Sequence, residues 1–133
     1  MATPPSSETM GYRFFIVDVF TDRAFGGNQL AVFPEAEGLA PGTMQALARE
    51  FNFAETTFVL PAATSGGLAR VRIFTPTAEL PFAGHPTIGT TAVLAVLGRL
   101  PVGQAALLEE GIGPIEVTAE GTGSPIAARF SFR

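Results

Sequence analysis

Two side chains in this sequence combine proton chemistry with a suggestive setting: His85, the sole histidine, and Glu55. His85 lies in the run Gly84-His85-Pro86-Thr87, which leads directly into the apolar stretch from Ile88 to Leu97. Proline is preorganised for the first helical position, so the spacing predicts Pro86 at N1 and His85 as the N-cap. The amides of Thr87, Ile88 and Gly89 would then open the helix without intrahelical partners. Acidic residues usually fill a first turn and complement its dipole. Here Thr87, Ile88, Gly89 and Thr90 stand there instead. A helix start with no internal counter-charge, beside an imidazole, is a seat for a small anionic ligand. The same run also reads as an ordinary turn into a core helix, with His85 as its cap and nothing more.

Glu55 occurs in Asn52-Phe53-Ala54-Glu55-Thr56-Thr57-Phe58-Val59, a strand-like run. Side chains alternate on a strand, which puts Glu55 on one face with Phe53, Thr57 and Val59. A carboxyl among apolar neighbours resists ionisation, and that suits a general acid/base working near neutrality. The chain has no lysine or cysteine to share that task. The plainer reading is a glutamate at a strand end, facing water.

The elements that must position these two residues follow from period and punctuation. Residues 13–20 are aromatic and β-branched and read as a strand, with Phe14, Ile16 and Asp18 on one face. Gly26-Gly27-Asn28 is a turn cluster, and Leu30 to Phe33 a short strand ended by Pro34. Pro41 to Phe51 has helical period, with Met44, Leu47 and Phe51 aligned. Ala54 to Leu60 and Leu68 to Phe74 read as paired strands across Ser65-Gly66-Gly67. The stretch from Pro86 to Leu97 reads as a helix, apolar all round and stopped by Gly98, so it must be enclosed. Three further strands are expected over 105–109, 115–120 and 126–132. About seven short strands and one wholly apolar helix reconcile as an α+β fold, a mixed sheet curled around that helix.

Composition narrows the function classes. A chain of 133 residues, 47% hydrophobic, can form one domain with a real core. Only 15% of residues are charged, against about a quarter ordinarily, which suits a surface meant to be covered. Net charge is −4 and the eight basic residues are scattered arginines, so no nucleic-acid partner is expected. Without cysteine and with one histidine, no metal site is expected. There is no dinucleotide fingerprint, P-loop or nucleophile elbow. A hydrolase with His85 as base is disfavoured because no serine or threonine is framed as its nucleophile. Residues 1–11 read as a loose polar tail and 12–133 as a single lobe. No segment approaches the roughly 20 apolar residues of a membrane span, and a cytoplasmic location is the expectation.

Taken together, these segments resemble the PhzF-like isomerase family of phenazine-biosynthesis type, within the diaminopimelate epimerase-like fold. The matching runs come in the family's order: residues 12–20, then Gly27-Asn28 and its strand, then Ala54-Glu55-Thr56-Thr57-Phe58-Val59, then 72–90 with Gly84-His85-Pro86-Thr87. The resemblance implies Glu55 as catalytic acid/base and His85 as the histidine beside it. It implies Asn28, Gly84, Thr87, Ile88 and Gly89 as substrate contacts. Ala83 stands where the epimerase relatives carry a reactive cysteine, which implies the PhzF-like branch rather than a two-thiol racemase. Gln29 and Thr91 are minor departures, at positions where proline and alanine are common.

The resemblance covers only the first of two similar family halves, whose cleft holds the active site. It therefore implies either a missing C-terminal lobe or a homodimer that imitates the full molecule. The implied reaction needs no cofactor: Glu55 moves a proton on a small carboxylate-bearing metabolite, whose carboxylate docks on the amides after His85. The alternative is a silent half-domain that binds small carboxylates or serves as a structural or dimerisation module.

Overall fold

The computed structural model describes residues 11–20, 25–121 and 126–132. The tail expected over 1–11 lies outside these except for Gly11. The elements run β1 (Phe15–Val19), β2 (Asn28–Phe33), α1 (Pro41–Phe51), β3 (Glu55–Leu60), β4 (Ala69–Phe74), β5 (Glu79–Leu80), α2 (Gly84–Val96), β6 (Ala106–Glu110), β7 (Gly113–Glu120) and β8 (Ala127–Phe132). All eight strands join one sheet in the order β1-β2-β3-β4-β6-β7-β8, with β5 paired to β4 off that path. The pairs β2–β3 and β4–β6 are parallel, and the others antiparallel.

The sheet curls because α2 has no polar face to give to water. Its sequence GHPTIGTTAVLAV carries no acidic residue in its first turn and no basic residue in its last. It is enclosed by β1, β2 and β3 on one side and β7 and β8 on the other. Val93, Leu94 and Ala95 meet Val19, Leu30, Val32, Val59, Val71, Ile73, Leu108, Ile115 and Val117 in the main core. Gly89 is what lets the helix come so close: a Cβ there would lie 2.4 Å from Leu30 Cδ2 and 3.0 Å from Val19 Cγ2. At the far end Gly98 takes φ +75 and its amide closes on the Ala95 carbonyl, the left-handed stop that glycine permits.

The amphipathic helix α1 packs outside the sheet. Met44 and Ala48, one turn apart, bury against Phe33, Phe58 and Phe74 in a second core. Asn52 ends α1 at φ +57, its amide bonded to the Ala48 carbonyl. Strand β3 is thus covered on both faces, with Phe58 under α1 and Thr57 and Val59 under α2.

The curled-sheet expectation holds, with differences at the ends of elements. Strand β2 begins at Asn28 rather than Leu30, and β7 at Gly113 rather than Ile115. Strand β6 runs through Glu110 rather than stopping at Glu109. Strand β5 is an eighth strand that the sequence reading lacks, since two residues are too few to show alternation. A turn builds it: Thr75 Oγ1 accepts from the amides of Thr77 and Ala78, and the Thr75 amide donates to the Ala78 carbonyl.

Candidate active site

Four element ends meet at one rim of the curled sheet: the starts of β2 and β3, the C-terminus of α1 and the N-terminus of α2. They bound a cleft of about 370 Å³ lined by Asn28, Gln29, Asn52, Phe53, Ala54, Glu55 and His85. Parallel pairing aligns Leu30 with Glu55, so Asn28 and Glu55 open the cleft from neighbouring strands. Glu55 points inward for the reason that its strand is pleated. Thr57, two residues on, bonds Thr90 of α2 at 2.8 Å, and Glu55 on the same face meets the first turn of that helix.

The meeting is with His85. Its Nδ1 lies 3.0 Å from Glu55 Oε2 and its Nε2 3.3 Å from the Asn28 carbonyl oxygen. A carbonyl can only accept, so Nε2 is the protonated nitrogen. The Glu55–Nδ1 contact then needs one more proton. Either the imidazolium carries it and donates to a carboxylate, or Glu55 carries it and donates to a neutral ring. In either form both ring nitrogens are hydrogen-bonded. Both side chains keep a small exposed fraction, 10% for His85 and 16% for Glu55, so the pair is reachable from the cleft. The Phe20 ring sits 6.1 Å from the imidazole and is itself largely exposed.

The helix start differs from the sequence expectation. Ala83, extended at φ −156 and ψ 141, is the N-cap, and the helix begins at Gly84. His85 is therefore N2 and Pro86 N3, not N-cap and N1. The physical reason is that a missing amide hydrogen costs nothing anywhere in the first turn, so proline is tolerated two positions further in. The consequence for donors is direct. The Thr87 amide already bonds the Ala83 carbonyl at 3.3 Å. The amides of Ile88 and Gly89 fall within the i to i−4 ladder. The unsatisfied helix-start donors are those of Gly84 and His85, since Pro86 has none. Ile88 packs on the core, and Gly89 is a packing glycine beneath Leu30. A Cβ added at Gly84 would lie 3.4 Å from the Phe130 ring of β8.

Thr87 turns away from the cleft altogether. Its hydroxyl lies 2.8 Å from the Ala83 carbonyl oxygen and 3.1 and 2.9 Å from the two oxygens of Glu110. Glu110 is buried, and burial pushes its carboxyl up from 4.5 to about 7, with the Thr87 hydroxyl partly opposing. The sequence reading missed this residue because it ended β6 one position early. Alternation could not have found it, since residues 105–110 run Ala-Ala-Leu-Leu-Glu-Glu and read alike in either phase. Among the described residues no group of three or more His, Cys, Asp and Glu gathers as metal ligands would. No helix among them is long and apolar enough to cross a membrane.

Comparison with known proteins places the chain in a family. Residues 17–132 match the family model described as phenazine biosynthesis-like protein. An uncharacterized isomerase of Pasteurella multocida is 47% identical over 109 residues, covering 82% of this chain and 37% of the relative. The trans-2,3-dihydro-3-hydroxyanthranilate isomerase of Pseudomonas fluorescens is 44% identical over 118 residues, covering 88% of this chain and 41% of the relative. The solved structure of a predicted epimerase from Pseudomonas aeruginosa superposes with TM-score 0.81 at 37% identity, over 90% of this chain and 42% of that one. The chain thus spans about two fifths of the length of these relatives. On fold, sequence and family model alike, it belongs to the PhzF-like family of phenazine biosynthesis-like proteins.

Proposed function

We propose that this chain is the Glu55-bearing lobe, from Tyr12 onward, of an isomerase that moves a proton on a small carboxylate-bearing metabolite without a cofactor. The observation that carries the reading is the Glu55–His85 pair, 3.0 Å apart at the rim of a cleft. As carboxylate, Glu55 takes a proton from a carbon next to an unsaturated or carboxyl-activated centre. The electron pair left behind moves into the conjugated system, and Glu55, whose proton exchanges with water in the open cleft, returns a proton at another carbon, so no oxidant or reductant is needed. His85 keeps Glu55 oriented and takes up or releases charge as the carboxyl changes form. The substrate carboxylate docks on the Gly84 and His85 amides, with Asn28 lining the same mouth. Oriented donors of this kind typically contribute about 3 kcal/mol each toward developing negative charge. A relative named for acting on a dihydro-hydroxyanthranilate supports a small cyclic carboxylate as the substrate class.

The cleft is open on one side, and large apolar groups stand exposed around the fold, among them Phe20, Phe25, Ile112 and Phe132. Such a surface suits cover by a second lobe or by a second copy of this chain, related by a two-fold axis. The test is Glu55→Gln, assayed by solvent deuterium incorporation into a cyclic β,γ-unsaturated carboxylate. The expected loss is about 10²–10⁴-fold. Unchanged exchange would eliminate the role.

A binding or dimerisation module is the second reading, favoured by the two-fifths coverage of the relatives. Mass in solution and carboxylate-dependent thermal stabilisation separate the two. A monomer that is stabilised by carboxylates and exchanges no protons is the module.

A further inference from the structure

The Thr87 hydroxyl has three oxygens within reach, the Ala83 carbonyl at 2.8 Å and both oxygens of Glu110 at 2.9 and 3.1 Å. A hydroxyl carries one proton. If Thr87 gives it to Glu110, the Ala83 carbonyl faces a bare oxygen at 2.8 Å. If Thr87 gives it to Ala83, Glu110 can stay this close only by donating a proton of its own. The second assignment puts a proton in each of the two shortest contacts, Thr87 to Ala83 at 2.8 Å and Glu110 to Thr87 at 2.9 Å. We propose that Glu110, held as a carboxylic acid, is a positioning residue for the first turn of α2. Its O–H donates to Thr87 Oγ1, Thr87 donates to the Ala83 carbonyl, and this two-bond chain fixes the turn that presents His85 to Glu55.

The surroundings favour the neutral acid. Glu110 shares the inner face of β6 with Leu108, in a layer whose neighbours are Val71 and Ile73 of β4 and Ile115 and Val117 of β7. The charged groups of the packed elements are turned elsewhere or engaged. Arg72 of β4 is tied to Glu79 of β5, and Glu109 of β6 to the Ala63 and Thr64 amides outside the sheet. Arg70 and Glu116 lie on outer-face positions of β4 and β7, and Arg129 of β8 pairs with Glu120 of β7. On α2 the one titratable group is His85, which faces Glu55. A buried carboxylate with one neutral donor and no cation is costly, whereas the acid completes the chain. Ionising Glu110 would oblige the Thr87 hydroxyl to turn from Ala83 to the carboxylate. The N-cap carbonyl would then keep only its 3.3 Å bond from the Thr87 amide.

NMR on the whole 133-residue chain tests this without substrate, so its failure is distinct from failure of the proposed turnover. With a single histidine, the ring signals are unambiguous. The Glu110 carboxyl carbon should inflect near pH 7, and the His85 ring should carry an inflection at the same pH. Glu110→Gln keeps a donor toward Thr87 and should remove from the His85 ring signal the part of its pH response that follows the Glu110 carboxyl carbon. Thr87→Val cuts the chain without removing the carboxyl and should displace the ring signal across the whole pH range. Thr87→Ser should restore it. A His85 profile unmoved by Thr87→Val, or a Glu110 carboxyl that inflects near 4.5, overturns the proposal.

Discussion

Two carboxyls grip the first turn of α2 from opposite flanks. Glu55 reaches His85 from β3, and Glu110 reaches Thr87 from β6. His85 and Thr87 are two positions apart, roughly 200° around the helix axis, so the two contacts fall on different sides. On one side the partner is an ionisable ring at an open cleft. On the other it is a neutral hydroxyl under an apolar layer. The difference teaches what each can do. A carboxyl within hydrogen-bond reach of a ring at an open cleft is placed where the proposed chemistry needs it. A carboxyl sealed against a hydroxyl can hold its proton as a structural part, and burial, partly opposed by the Thr87 hydroxyl, pushes it up to about 7. A third case sits next in sequence. Glu109 faces out, and bonds from the Thr64 hydroxyl, the Ala63 amide and the Thr64 amide hold it below the usual carboxylate range. Adjacent residues of one type are thus driven in opposite directions by the two faces of one strand.

The largest effect expected from this contrast is the Glu55→Gln loss of about 10²–10⁴-fold in exchange, which tests the proposed role of Glu55 as acid/base. Next comes the pH dependence of folding. Below about 4.5 Glu110 is protonated folded and unfolded, and it costs nothing. Between 4.5 and about 7 only the unfolded chain ionises, so stability falls as pH rises, and above 7 the whole loss is felt. At 1.36 kcal/mol per pH unit, that loss is on the order of 3 kcal/mol. Glu79 and Glu109, held low, act the other way, but only as pH drops through their own range. Urea unfolding from pH 5 to 8 should therefore show a falling limb that Glu110→Gln flattens. A flat wild-type profile would remove the contrast.

Of similar or smaller size is Gly89→Ala, whose Cβ would press on Leu30 and Val19 and push α2 off β1 and β2. Overpacking of this kind costs about 1–3 kcal/mol. It should loosen both grips at once, read as a lower denaturation midpoint. The smallest effect is Arg13→Ala. It breaks the exposed Arg13–Glu35 pair at 2.8 Å, for a change below about 1 kcal/mol that vanishes in high salt. A larger cost there would mean that a carboxyl outside the curled sheet matters as much as one inside.

The wholly apolar run from Ile88 to Leu97 requires an enclosed helix, and the strand runs around it require a sheet to enclose it. That much of the architecture is written in composition and period. The pairing of Glu55 with His85 was legible only through the motif that carries both, because 30 residues separate them and alternation says nothing about distance. The helix start was misplaced by two residues, since proline tolerates any position of a first turn. That error moved the open donors from Gly84 and His85 to residues whose amides are already bonded.

By itself, then, the sequence determined the enclosed helix, the alternating strands, and the presence of one imidazole and one strand-borne glutamate within a family motif. It could not say which of Glu109 and Glu110 faces the core, because a two-residue period has two phases and only contact with a neighbouring layer selects one. Tertiary structure made that choice. Once α2 lay inside the curl, Leu108 and Glu110 had to turn toward it, and a residue written as an ordinary acid became a buried one.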